Sequence, residues 1–309
     1  MAKLVVIGSM NMDIVNQVER HPHPGETIHG RQTIYSPGGK GANQAVAAAR
    51  AGAAVAIIGA VGDDPFQTAL LEALHSVGIS TDSVLTKAGS SGLAFITVSA
   101  DGENSIILSE GANGKLTPHD VDQQLLTLSD TQGVLFQNEI PWETTIHAIH
   151  ESKRMGCRVY LNPAPARDIP DELLSYIDVL ILNEYEAGFL SGVRVSDEPS
   201  ALEAADSLIS RGSKEILVTM GAAGSIYKNQ QGVVQRAEAF SVQAVDTTAA
   251  GDTFIGTYAA SQESGLNVAD SLRRASAAAA LTVTREGAQG SIPTAAEVDQ
   301  FLSSRASII

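Results

Sequence analysis

The sequence is poor in three things, and each scarcity excludes a class of protein. Cys157 is the single cysteine among 309 residues, so no disulfide can form within the chain. That rules out a disulfide-knit secreted module and points to a reducing compartment, the cytoplasm. Cations are outnumbered: 20 Lys and Arg stand against 35 Asp and Glu, a formal charge of −15. Backbone affinity for nucleic acid needs clustered cations, so no nucleic-acid partner is expected. Long apolar runs are missing as well. Leu4 to Ile7 is too short for a signal-peptide core and reads as a first β-strand, and the Ala-rich run Ala275 to Val283 is about half a membrane span. No membrane partner is expected either.

What is present is a chain 44% hydrophobic with 28 glycines, large enough to bury a core without a disulfide or metal staple. At roughly 150 residues per domain, the length allows about two domains or one large α/β domain with an insertion. The pattern favours the second. Short β-branched runs alternate with helical periodicity: strands at 4–8, 54–60, 133–137, 157–161, 176–182 and 215–219, with helices near 41–50, 64–77, 142–155, 184–191, 199–211, 251–264, 267–283 and 295–303. Several strands are continuous apolar runs, which predicts a Rossmann-like, mostly parallel sheet covered by helices on both faces. Two stretches break the rhythm. Residues 12–36 lack helical period and hold the turn-rich His21-Pro22-His23-Pro24-Gly25, and residues 92–109 read as a hairpin turning at Asp101-Gly102. The expectation is one α/β domain over 1–309 with a small, discontinuous antiparallel β lid.

In an open parallel sheet, ligands bind beyond the carboxyl ends of the strands, so polar residues just after each strand are informative. Asn11 and Asp13 follow the first strand, Asn138 and Glu139 the third, Asn183 and Glu186 the fifth, and Thr219 and Gly221 the sixth. Each alone also serves as a turn or helix cap. The sharpest segment runs from Asp246 through Ala249-Ala250-Gly251-Asp252 into an apolar helix. Small residues there leave backbone amides and the helix dipole free to face an anion, while Asp252 either caps the helix or takes a proton from a hydroxyl that attacks that anion. Phosphoryl transfer suits such a site, because it needs positioning and charge stabilisation more than covalent help. Gly38-Gly39-Lys40-Gly41-Ala42-Asn43 is a second small-residue loop opening a helix, and offers amide donors, a cation and a side-chain amide. Neither a Walker A pattern nor a GxGxxG fingerprint is present, so any phosphate site is of another kind.

Together these segments resemble the PfkB carbohydrate kinase family: Asn11-Met12-Asp13, Pro24-Gly25-Glu26, the GGKGAN loop, Asn162-Pro163-Ala164-Pro165-Ala166-Arg167, the N-x-x-E tetrapeptide Asn183 to Glu186, and the AAGD ending at Asp252. The motifs stand in the family's order and span nearly the whole chain. The resemblance implies ATP-dependent transfer of the γ-phosphoryl group to the 5-hydroxyl of D-ribose. Asp252 then resembles the general base, and Ala249, Ala250 and Gly251 the anion hole. Asn11, Asp13, Gly38, Gly39, Lys40, Asn43 and Glu139, with Asp252, resemble the sugar-binding set, with Lys40 also set to neutralise phosphate charge. Asn183, Thr219, Gly221, Ala222, Gly224, Gly251 and Ser276 resemble the ATP positions, Ser276 standing where the family often places His or Asn. Glu186 resembles the residue that organises Mg²⁺ through water. Asp246, Thr248, Thr282, Arg285, Gly287 and Ser291 match a site for a monovalent cation, usually K⁺. A homodimer joined through the lid is implied too.

Other constellations are read more plainly. His147 and His150, with Glu143 and Glu151, fit a solvated helix face with i,i+4 pairing. His21 and His23 fit lid surface, Cys157 fits a small buried hydrophobe, and Gly89-Ser90-Ser91-Gly92 lacks the spacing of a serine-hydrolase elbow. The rival functions are a kinase of another sugar or a nucleoside, a nonenzymatic sugar-binding relative, and a dinucleotide oxidoreductase, which the missing GxGxxG disfavours.

Overall fold

The computed structural model describes residues 3–128 and 130–306. Strand β1 (Lys3–Ile7) leads into a hairpin, β2 (Asn11–Gln17) and β3 (Gln32–Gly38), and then into α1 (Lys40–Arg50), β4 (Ala54–Gly62), α2 (Gln67–His75) and β5 (Val84–Lys87). A second hairpin follows, β6 (Gly92–Val98) and β7 (Asn104–Ser109), with its turn at Gly102 as the Asp-Gly pair predicts. The chain then runs through α3 (Pro118–Leu125), β8 (Gly133–Phe136), α4 (Trp142–Arg154), β9 (Arg158–Leu161), a short α5 (Asp171–Leu174), β10 (Val179–Asn183), α6 (Glu184–Ser191), α7 (Glu198–Ser210) and β11 (Glu215–Thr219). It closes with β12 (Ser225–Asn229), β13 (Val234–Ala237), α8 (Ala250–Glu263), α9 (Val268–Thr282) and α10 (Ala295–Ala306).

The main sheet has nine strands in the order β13-β12-β11-β10-β9-β8-β1-β4-β5, parallel from β11 to β5, with β12 and β13 antiparallel at one edge. Side-chain alternation divides its strands between two cores. Val5 and Ile7, with Val134 and Phe136, pack under α3 to α7; Leu4 and Val6, with Leu135, pack under α1, α2, α8 and α9. The expected strand at 176–182 starts later, at Val179. Tyr176 and Ile177 instead donate backwards to Leu173 and Leu174, closing the last turn of α5.

The small sheet is ordered β3-β2-β6-β7. Its two hairpins are antiparallel, as expected, but they are joined by parallel pairing of β2 with β6. The cause is connectivity: β2 leaves the main sheet just after β1, and β6 just after β5, so both first strands run outward from the same carboxyl edge.

One contact on the α1–α8 side fixes where the amino ends of these two helices lie. Helix α1 is lined with alanines, Ala42, Ala45, Ala47 and Ala48, and α8 meets it at Gly256. A β-carbon at Gly256 would lie 2.3 Å from the Gln44 carbonyl oxygen and 2.6 Å from the Ala47 β-carbon. Only glycine lets the two backbones approach this closely. The amino ends of α1 and α8 therefore converge on one point above β1. Among the described residues, no helix is long and apolar enough to cross a membrane.

Candidate active site

Strand order reverses at β1, which lies between β8, reached late in the chain, and β4, reached early. This is the switch point where ligands bind in open α/β sheets. Across it, Ser9 donates its hydroxyl to Glu139 at 2.5 Å, and the Lys40 amide donates to the same carboxylate oxygen at 3.1 Å. Gly39 opens α1 at φ 89°, and a β-carbon there would meet the Asn11 backbone nitrogen at 2.8 Å. Any other residue would be strained and would push β2 away. A β-carbon at Gly38 would overlap the Asp13 carboxylate, which lies across β3.

Asp252 sits in the first turn of α8, 8% exposed. Asn43 donates to its Oδ2 at 3.1 Å and Gln44 to its Oδ1 at 2.9 Å, both from α1. Before it, Ala249 adopts φ 59°, the one left-handed non-glycine among the described residues. Glycine would adopt that conformation without strain, and alanine holds it at a cost of roughly 1–2 kcal/mol. Helix starts leave their first amides without intrahelical partners; at α8 the Ala250 amide donates to the Thr247 carbonyl at 3.3 Å, and the Gly251 amide is presented beside the carboxylate.

The electrostatics are those of crowded carboxylates around one cation. Burial, then Glu139 and Asp252, pushes the Asp13 carboxyl up to about 7. Burial also raises Glu139, against the pull of Lys40, and raises Glu186. Lys40 is held above its ordinary range, chiefly by Asp252 and further by Glu139 and Glu186. Asn11 is oriented by Asn113, which donates to its Oδ1 at 2.7 Å, so the Asn11 amide nitrogen is left to face a ligand. The sequence-derived sugar set is therefore brought together: Asn11, Asp13, Lys40, Asn43, Glu139 and Asp252.

Thr219, Gly221, Ala222, Gly224, Gly251 and Ser276 all line a cavity of about 570 Å³ beside the α8 turn. Sequence reasoning missed its apolar walls, among them Phe240, Val242, Phe254, Ala279 and Val283. Asn183 stands apart from that lining. Its side chain is used in the capping box of α6, accepting from the Glu186 amide at 2.8 Å and donating to Glu186 Oε1 at 3.0 Å.

Among the described residues, no group of three His, Cys, Asp or Glu side chains could hold a metal directly. Glu186, 5% exposed, is a lone carboxylate partly occupied by amide donors. Such a group suits Mg²⁺ held through water rather than in an all-protein cage. In the candidate K⁺ segments, Asp246 accepts from the Thr248 amide and hydroxyl and from the Gly287 amide at 2.9 Å, strapping the two loops together. Burial pushes the Asp246 carboxyl up, but these donors outweigh it and hold it low. The Thr282 hydroxyl points into the helix pair, toward Thr253, and the Ser291 hydroxyl and Arg285 guanidinium are spent on Ala288 and Glu297. Asp246 would offer this site a carboxylate, and the backbone of the other positions would offer carbonyls.

The remaining readings are settled by local contacts. His147 pairs with Asp122 of α3 at 2.7 Å and His150 packs edge-on against Tyr176, so α4 carries contacts to neighbouring elements rather than the expected solvated i,i+4 face. Cys157 is buried, as expected.

The chain belongs to the pfkB family of carbohydrate kinases, whose model matches residues 1–295. It is therefore a sugar-kinase-fold protein by sequence as well as by architecture. A ribokinase from Haemophilus influenzae is 42% identical over 300 residues, covering 97% of this chain and 98% of its own. A deoxyribokinase from Salmonella typhi is 38% identical, covering 97% and 98%. The structure of Arabidopsis thaliana ribokinase complexed with ribose and ATP superimposes with a TM-score of 0.90 at 34% identity, covering 98% of this chain and 99% of that one.

The raised Asp13 carboxyl has a measurable consequence. Its folded value of about 7 exceeds the ordinary 3.8, so the native state holds a proton that the unfolded state releases, and stability falls as pH rises between those values. Asp13→Asn removes this loss. In denaturant unfolding of the ligand-free protein, the variant should gain on wild type from pH 5 to pH 8; a difference independent of pH would refute the assignment.

Proposed function

We propose that this chain is an ATP-dependent D-ribose kinase that forms D-ribose 5-phosphate. The observation that carries the reading is Asp252. It is a carboxylate in the first turn of α8, flanked on one side by a polyol-suited set of amides and carboxylates and on the other by a cavity sized for a nucleotide. The Haemophilus and Arabidopsis relatives support ribose and ATP as the substrates.

In this mechanism Asn11 donates to the sugar, and Asp13 and Glu139 accept from its hydroxyls. Asp252 takes the proton of the 5-hydroxyl as its oxygen bonds to the γ-phosphorus. The bond from that phosphorus to the β–γ bridging oxygen breaks, and its electrons leave with ADP. The amides of Ala249, Ala250 and Gly251 stabilise the charge on the transferring group, and Lys40 offsets charge between the two substrates. Asn183, through Glu186, and Thr219, Gly221, Ala222, Gly224 and Ser276 position the nucleotide. When bound, Mg²⁺ neutralises the polyphosphate, and Glu186 would hold it through water. Asp246, with carbonyls of Thr248, Thr282, Arg285, Gly287 and Ser291, would hold K⁺, which would fix the loop that carries the anion hole.

The small sheet serves in this account as lid and dimer interface. Ile34, Tyr35, Phe95, Ile106, Ile107 and Leu108 are exposed on it, and strands β3 and β7 are open edges. Ile34, Ile106 and Leu108 share the face that carries Asp13, and Tyr35, Phe95 and Ile107 share the opposite face, so a second copy seated on the latter would bury those three side chains and pair open edge backbone. The deoxyribokinase from Salmonella favours one alternative, a kinase of another sugar, deoxyribose.

A coupled ADP-release assay across ribose, deoxyribose, fructose, ribulose and adenosine should give the highest kcat/KM for ribose, and adding KCl to a Na⁺ or Tris buffer should raise the rate. Preference for another acceptor would overturn the substrate, and indifference to every monovalent cation would remove the K⁺ site. In sedimentation velocity the wild type should run at twice 32.2 kDa and Ile107→Glu at once. A monomeric wild type would defeat the dimer.

A further inference from the structure

Between the base and the metal-side carboxylate lies a chain of buried amides that the proposed mechanism leaves without a role. Gln44 is fully buried on α1, and Asn162 is nearly so, at the end of β9. Gln44 Nε2 donates to Asp252 Oδ1 at 2.9 Å and to Asn162 Oδ1 at 3.3 Å. Asn162 Nδ2 donates to Glu186 Oε2 at 3.2 Å and to the Ile181 carbonyl at 3.1 Å. On the far side, Gln44 Oε1 accepts from Gln137 Nε2 at 2.7 Å.

The chemistry of the ends fixes every amide in between. A carbonyl and an unprotonated carboxylate only accept hydrogen bonds. Asp252, unprotonated as a base must be, requires the nitrogen of Gln44 on its side, which turns the Gln44 oxygen toward Gln137. Glu186 and the Ile181 carbonyl require the nitrogen of Asn162, which turns its oxygen toward Gln44. Both requirements agree, and all four side-chain N–H groups of the two amides are used. Flipping either amide would set oxygen against oxygen in a buried site, so the arrangement is locked rather than merely allowed.

Resting on the reading of Asp252 as base, we propose that Gln44 is a positioning residue for phosphoryl transfer, holding the Asp252 carboxylate in register with Glu186 through Asn162. Gln44 has no exposed surface and does not touch substrate. Its effect is exerted by fixing the rotation of the carboxylate, so that Oδ2 faces Asn43 and the acceptor hydroxyl. A carboxylate free to rotate would still bind the sugar but would spend less time in line with the 5-hydroxyl.

The test is Gln44→Met, which keeps the length and apolar volume of the side chain and removes its donors. Steady-state kinetics should show kcat reduced at least tenfold, with KM for ribose and for ATP within threefold of wild type and a cooperative melt retained. In an Asp252→Asn background the same substitution should change the residual rate less than twofold, because there is no base left to orient. An equal loss in both backgrounds, or a rise in KM without a fall in kcat, would mean a merely structural role and would overturn the proposal. If Gln44→Met does not fold, Gln44→Asn, which retains the amide but withdraws it, carries the same readouts; failure of both to fold also overturns it. Near-wild-type turnover of Asp252→Asn alone would sink the base reading instead, whereas an inactive Asp252→Asn beside a fully active Gln44→Met sinks only the positioning.

Discussion

The close approach of α1 and α8 at Gly256 is the constraint on which the site depends. Asn43 and Gln44 are contributed by α1, and Asp252 by α8. These residues are about 210 positions apart in sequence, and they meet only because an alanine-lined helix packs against a glycine. Any side chain at Gly256 would part the helices at the level where the base is held. The same contact brings two helix amino ends together above the switch between β1 and β8, so amide donors and partial positive charge converge on one point.

That convergence answers the strongly negative composition. A protein of charge −15 that handles a polyanion must create positive potential locally. Here it is built from helix starts, the Gly251 turn and Lys40, set among Asp13, Glu139, Glu186 and Asp252. The acidic groups are tolerated because they are hydrogen-bonded or protonated: Ser9 and the Lys40 amide hold Glu139, Asn183 and Asn162 hold Glu186, and Asp13 carries a carboxyl lifted to about 7. The same crowding suits a polyol, because its hydroxyls can donate to these acceptors.

Much of this was legible in the sequence, for identifiable reasons. Apolar runs such as those in β1, β8 and β10 mark strands buried on both faces, and glycines at 78 and 156 mark helix ends, so the α/β layering followed. The residues proposed to hold the sugar could be picked out because they sit in compact motifs at strand ends. Other parts were not. The α3 helix carries a capping box, Thr117 with Asp120, and β12 and β13 alternate around Gly232, but both lie between longer periodic segments that dominate the pattern. The parallel β2–β6 pairing depends on where two hairpins leave the sheet, which no local pattern encodes. Gln44 and Asn162 were visible as members of motifs, yet a buried amide declares its partner only once the helices are packed. Asn183 shows the same limit: its motif was visible in the sequence, but that its side chain caps α6 and holds Glu186 appears only in the fold.

The central claim is that the carboxylate held between α1 and α8 removes the proton during transfer. Its most direct test is a single-turnover measurement on Asp252→Asn with radiolabelled ATP and ribose, paired with calorimetric binding of each substrate. The account predicts binding within severalfold of wild type and a transfer rate lower by a factor of roughly 10² to 10⁴. Transfer at near the wild-type rate, with both substrates bound, would contradict it.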